Sequence, residues 1–342
     1  MRTGWLALIL TCALSGLHGQ ERLKLHMNRA VPVADVYANF MMAPFRCDAD
    51  NNAYFIAPQF QPTASSGIVL RVSADGQRVT RYNLNSVTDI KSTGLVEYAV
   101  GSPGEVYALT QDQRSRDTVI VKFDKNGAVK SVIRLNTSGI VPRQLGVLPS
   151  GSFFLAGLKY QQTDHGAQVH PYTSMFNERG QFLQPIRLAG DLKPDPKDAK
   201  VVIGSSLGKY ESELDQSLAV RGDDGQLYFV RFGPKALVFA LSAAGEVHEL
   251  FALSPPSPRS ELADVRVAGG RMAVEYVESD NKTNQTAKVY INIVDLATGE
   301  TVQKYWHQDW RIGVALACYS PEDFTFLSAA ENGQLQLVHA VP

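Results

Sequence analysis

No stretch of this chain gathers the clustered Lys and Arg that a polyanion binder needs to displace counterions, and the formal net charge is only −1. Nucleic-acid binding is therefore not expected. Nor is there an apolar run of the roughly 20 residues that a bilayer core demands, so no membrane span is expected either. Cysteine is scarce, with Cys12, Cys47 and Cys318 the only three. A phosphate loop is also missing: Gly204 to Lys209 has a superficial likeness, but its glycines are too close and Tyr210 stands where a Ser or Thr is required.

The N-terminus carries a different signal. Arg2 supplies a positive charge, Trp5 to Leu14 an apolar stretch, and Ser15, Gly16 and Gly19 small residues suited to cleavage. This pattern predicts a signal peptide over residues 1–19, removed on export to a periplasmic or extracellular compartment. Leu10 and Thr11 do not give Cys12 the small-residue context of a lipoprotein acceptor, so no lipid is expected. Loss of Arg2 with the leader takes the net charge from −1 to −2.

The remainder, residues 20–342, repeats itself. Six turns recur, at Asn51-Asn52, Pro103-Gly104, Ser150-Gly151, Asp224-Gly225, Gly269-Gly270 and Pro321-Glu322, each followed by a short β-rich run such as Leu227-Tyr228-Phe229-Val230. They lie about 45 to 52 residues apart, with one interval of about 74. A third strand follows in each copy. In the first five it ends at a second turn carrying Gly76, Gly127, Gly180, Gly245 or Gly299, where glycine meets the positive φ of a tight hairpin. Four strands per copy at this spacing predict an all-β, six-bladed propeller. The sixth copy stops at Pro342 without its fourth strand, and the alternating segment Leu23 to Met27 is left over at the other end. Pairing of that segment with Leu335 to His339 would latch the ring, leave no sheet edge open, and suit a monomer.

Asp224-Gly225-Gln226-Leu227-Tyr228, with the later hairpin Phe123-Asp124-Lys125-Asn126-Gly127, resembles the six-bladed propellers of the NHL-like and secreted bacterial families over essentially the whole mature chain. The resemblance implies architecture rather than chemistry, because those families include scaffolds, binding modules and a few enzymes. Sialidase Asp-boxes, Tyr-Trp-Thr-Asp repeats and Gly-His to Trp-Asp pairs are all missing from the sequence.

Propeller topology places the loops between second and third strands on the same face as the inter-blade connections. The long insertions Gln59 to Gly67, Thr110 to Asp117, Lys159 to Pro171, Glu278 to Lys288 and the connector Ala189 to Gln216 all fall there, making that face the expected site for a protein, glycan or small-molecule ligand. Two segments stand out. His165 and His170, with Asp164, could begin a metal site, but their spacing matches no known motif; an exposed polar loop is the competing assignment, and no metal or cofactor is expected. Trp306, His307 and Trp310 could form a stacking surface for sugars or an anchor for a partner, against packing as wedges between blades.

A ligand- or protein-binding module is the expected function. The alternative is a metal-dependent lactonase-type hydrolase, implied by likeness to six-bladed lactonases that line their central channel with Glu, Asn and Asp. Here the innermost strands offer Arg46, Asp48, Glu97, Gln144, Arg221 and Arg266, a set too basic for a calcium cage. Cys47 and Cys318 fall on innermost strands of the first and last copies, so ring closure brings them together, either as a disulfide or as two buried thiols.

Overall fold

A computed structural model describes residues 21–37, 42–57, 67–102, 104–135, 139–163, 166–188, 212–233, 235–280 and 285–342. The expected signal peptide, most of the Gln59 to Gly67 loop, and residues 189–211 of the connector lie outside the described residues.

Short runs buried on both faces, such as Ala53–Ile56 and Leu227–Arg231, interrupted by tight turns, fold the chain into six sheets arranged in a ring. From inner to outer strand, the first blade is Met42–Cys47, Ala53–Ile56, Ile68–Val72 and Val79–Asn83. The second is Glu97–Val100, Val106–Gln111, Thr118–Phe123 and Val129–Arg134, and the third Ile140–Val147, Phe153–Thr163, Gly166–Phe176 and Phe182–Pro185. The fourth comprises Leu218–Arg221, Leu227–Arg231, Ala236–Leu241 and Val247–Leu253; the fifth comprises Ser260–Ala268, Arg271–Asp280, Gln285–Asp295 and Thr301–His307. The sixth runs Ala315–Ser320, Asp323–Ala329 and Gln334–Val341, and is completed by His26–Tyr37 from the N-terminus.

The latch is longer than Leu23 to Met27, and it is divided. His26 and Met27 pair with Val341 and Ala340, and the strand continues to Tyr37 opposite Gln334. Leu23 and Lys24 instead run parallel to Tyr305 and Trp306, adding a fifth strand to the fifth blade, and the Leu25 N–H donates to the Trp306 carbonyl at 2.8 Å. Leu25 is buried at the step between the two blades.

The core is not one mass but six apolar seams, each shared by two neighbouring blades. Phe154, Met175, Phe229 and Phe239 fill the seam between the third and fourth blades, and Tyr54, Tyr82, Tyr98 and Phe123 that between the first and second. Val33 and Val36 of the N-terminal strand lie with Phe55, Leu70, Leu335 and Leu337 in the seam that closes the ring. Each seam hides two sheet faces at about 25 cal/mol per Å² of apolar surface, which is how four-stranded blades too small to stand alone become stable.

The repeated turn residues have an identifiable task. Asp224 accepts from the Gln226 N–H at 2.9 Å and from the Tyr228 hydroxyl at 2.6 Å, so the Tyr of the second strand clamps the turn that precedes it. Asp48 does the same in the first blade, accepting from the N–H groups of Asp50 and Asn52 and from the Tyr54 hydroxyl at 2.7 Å. These side-chain acceptors replace the backbone partners that a two-residue turn leaves unmade.

Two of the expected loops are strands. Lys159 to Pro171 belongs to a hairpin in which Tyr160 pairs with Val169 and Lys159 with His170, and most of Glu278 to Lys288 extends the fifth blade in the same way. Of the connector Ala189 to Gln216, the described part is a short helix at 212–216. Among the described residues no helix is long and apolar enough to cross a membrane.

Candidate functional site

Inner strands converge on the ring centre, and four of the six expected residues are found there, all buried: Arg46, Glu97, Gln144 and Arg266. Asp48 instead organises the first turn, and Arg221 sits half-buried at the end of its strand. Two further acids share the centre, Asp264 and Glu275. Both stood in plain sight: Asp264 is two residues before Arg266 on the same strand, and Glu275 ends the apolar run Met272-Ala273-Val274.

β-Bulges do the aiming. Register shifts interrupt inner strands between Met42 and Arg46, Pro142 and Gln144, Leu262 and Asp264, and Leu316 and Cys318. In each case the residue after the irregularity is one of the central polar groups or a seam cysteine, as expected of bulges that redirect side chains.

The central charges are committed to one another and to backbone. Arg266 makes two hydrogen bonds to Asp264 and donates to the carbonyls of Leu316 and Ala317 at 2.6 Å each, stitching the fifth blade to the bulged strand of the sixth. Glu275 accepts from the Leu316 N–H at 3.3 Å. Arg46 faces Glu97 at 3.5 Å, and Glu97 also accepts from the Tyr98 N–H at 2.7 Å. Burial raises Glu97 to about 7, partly offset by Arg46, and raises Glu275 to about 8, with repulsion from Asp264 adding to the effect. Asp264 and Glu97 are thus taken up by guanidinium groups, leaving a poor oxygen cage for a hard cation; among the described residues no three His, Cys, Asp or Glu side chains group as metal ligands.

The upper face, where second-to-third-strand loops and blade connections lie, carries a cleft of 640 Å³ between the second and third blades. Its walls are the loop Gln111 to Asp117, the strand start Gly139 to Val141, Thr93 and the exposed Tyr160. Asp112 builds this loop. Buried itself, it accepts from the N–H groups of Lys91 and Arg114 at 3.1 and 3.2 Å and from Arg134 at 3.0 Å. Burial works to raise its pKa, but these donors outweigh it and hold the carboxyl below the usual range. Gln113 and Arg116 are therefore presented on a fixed frame, with exposed side chains.

The Trp-His-Trp segment does not form one surface. Trp306 is partly buried against the seam between the fourth and fifth blades, with the ammonium groups of Lys24 and Lys288 each 5.7 Å from its ring. His307 is buried edge-on to Phe326 at 5.2 Å, neither ring nitrogen has a hydrogen-bond partner, and burial lowers its pKa to about 4. Trp310 alone is open, with 64% of its surface exposed. Of the histidine pair, His170 lies on the third strand of the third blade opposite Lys159, and His165 lies outside the described residues.

Cys47 and Cys318 are bonded across the closing seam, their Cα atoms 5.3 Å apart, well inside the separation a disulfide tolerates. The bulge that ends at Cys318 supplies the local displacement of that strand.

These features define a six-bladed β-propeller closed by its N-terminal strand. No family model matches the chain. No curated protein matches it. Solved structures do, at low identity. A luciferin-regenerating enzyme is 9% identical with a TM-score of 0.49, covering 92% of this chain and 95% of its own. YCF48 bound to D1 peptide is 11% identical with a TM-score of 0.38, over 94% of this chain and 100% of that one. One of two prolyl endopeptidases is 13% identical with a TM-score of 0.39, matching 90% of this chain and 50% of its own. At these values the likenesses carry no argument about chemistry.

Proposed function

We propose that the chain is an exported binding propeller, of the NHL-like or secreted bacterial type, which takes a protein, glycan or small-molecule ligand on its upper face. The carrying observation is the 640 Å³ cleft whose loop is ordered from beneath by Asp112, so that Gln113, Arg116 and Tyr160 stand ready without having to be immobilised on binding. The ring centre supports binding over hydrolysis, because its acids are buried and tied to arginines or backbone rather than convergent on an open space. The N-terminal pattern Arg2 to Gly19 is the support for export, and the small net charge suits a partner other than nucleic acid.

Peptide and glycan arrays probed with purified protein test the proposal, followed by variants. Binding abolished by Gln113→Ala with Tyr160→Ala, and kept in Lys125→Ala on the opposite face, is the expected result. Binding indifferent to the upper-face pair would overturn it.

A further inference from the structure

The opposite face, formed by the tight turns, carries a second cleft of 530 Å³ to which three blades contribute. Four cations line it: Lys122 and Lys130 from the second blade, Arg179 from the third and Arg221 from the fourth. Two acids, Glu105 and Glu178, also line it, so the cleft carries a surplus of positive charge. Glu105 is fully engaged by its own blade, with Lys122 at 2.7 Å, Lys130 at 2.9 Å and the Tyr107 hydroxyl at 3.1 Å.

Arg221 is the odd member. It ends an inner strand, is half-buried, and has no side-chain hydrogen bond or ion pair among the described residues. Burial holds its pKa below the usual range, partly countered by the phenol of Tyr107, two blades away. By contrast, the buried guanidinium groups of Arg46 and Arg266 are answered by carboxylate and carbonyl oxygens. A guanidinium aimed into a cleft without a counter-ion is the arrangement that recognises a planar or tetrahedral oxyanion, since its fork of donors matches two oxygens at once.

We propose that this turn-face cleft is a binding site for a small oxyanion ligand, carboxylate- or phosphate-bearing, with Arg221 as its central contact and Lys130 and Arg179 at its rim. The site is separate from the upper-face cleft and does not depend on it. Lys122 and Lys130, bridged by Glu105, set the second-blade wall, and Arg179 closes the third-blade side.

Isothermal titration of the purified protein with inorganic phosphate and with succinate, each at constant ionic strength, tests the site and separates the two ligand sources. Saturable binding of one or both is expected, weakened at least about tenfold in Arg221→Gln and less in Arg221→Lys, which keeps the charge but loses the fork. Lys125→Ala, on a neighbouring turn outside the cleft, should bind like the parent. If Arg221→Gln fails to fold, protection of Arg221 from phenylglyoxal in the parent protein, followed by peptide mass spectrometry, gives the same answer. No saturable binding of either anion, binding unchanged by Arg221→Gln, or no protection would overturn the proposal.

Discussion

Arg266 and Asp264 meet in two hydrogen bonds of 2.6 and 2.8 Å at the ring centre, two residues apart on one strand, closed off from water. The pair is less a source of stability than a commitment, because a buried ion pair gains little over apolar packing yet costs heavily when half of it is removed. Asp264→Asn should therefore cost about 3 to 5 kcal/mol by leaving the guanidinium unanswered. Chemical denaturation reads this directly, and a loss below 1 kcal/mol would show that Leu316 and Ala317 carbonyls suffice on their own.

The acids at the centre set an unusual pH dependence. Glu97 and Glu275 keep their protons to about 7 and about 8, whereas in the unfolded chain they ionise near the ordinary 4.5. Between those limits the folded state holds more protons, so stability falls as pH rises. Glu275→Gln should remove one proton's slope, about 1.4 kcal/mol per pH unit, and make the variant more stable than the parent at pH 8. Equal denaturation midpoints for the two proteins at pH 5 and pH 8 would contradict this.

His307 works in the other direction. Its folded pKa of about 4 lies below the ordinary 6.5, so its contribution is complete above 6.5 and is lost as pH falls toward 4. The full loss is about 3 kcal/mol. His307→Phe, which preserves an aromatic edge against Phe326, should abolish that acid-side decline, measured as the change in melting temperature between pH 6.5 and pH 4.

The split latch separates two truncations. Removing residues through Lys24 leaves His26–Tyr37 in place and should cost little. Removal through Tyr37 uncovers the edge of Gln334–Val341 and withdraws Val33 and Val36 from the closing seam, so an aggregating or unfolded product is expected. Comparable melting temperatures for the two products, followed by circular dichroism, would show that the latch is dispensable.

Unreduced mass spectrometry should find Cys47 and Cys318 joined in the purified protein. Replacing both by Ser should cost about 5 kcal/mol on the chain-entropy estimate, since a very long loop is closed. Complete alkylation of both thiols after denaturation without reductant is the outcome that rejects the bond.

The blades were legible because turn chemistry recurs: Asp224 before Gly225 with Tyr228 behind it needs only local sequence to be recognised. The division of the latch at Leu25 was not, since Leu23, Leu25 and Met27 alternate identically whether they pair with Trp306 or with Ala340. Period-two patterning names a strand and its face but not the edge it joins. Asp264 was passed over, and the choice between a Cys47–Cys318 bond and two thiols left open, for a related reason: a bulge shifts the side-chain count by one and leaves no mark in composition. The turn-face cleft draws Lys130, Arg179 and Arg221 from three blades, a convergence that no single repeat displays.

The path of the first strand also fixes an order of events. His26–Tyr37 has its partner in Gln334–Val341, and Leu23 and Lys24 have theirs in Tyr305 and Trp306. As the chain emerges from the ribosome, His26–Tyr37 has nothing to pair with until Gln334–Val341 has been made. The five complete blades can gather beforehand, but the ring cannot lock, and contacts of such large sequence separation form slowly. A polypeptide arranged this way keeps its ring open until the Gln334–Val341 strand exists, however many blades have gathered before it.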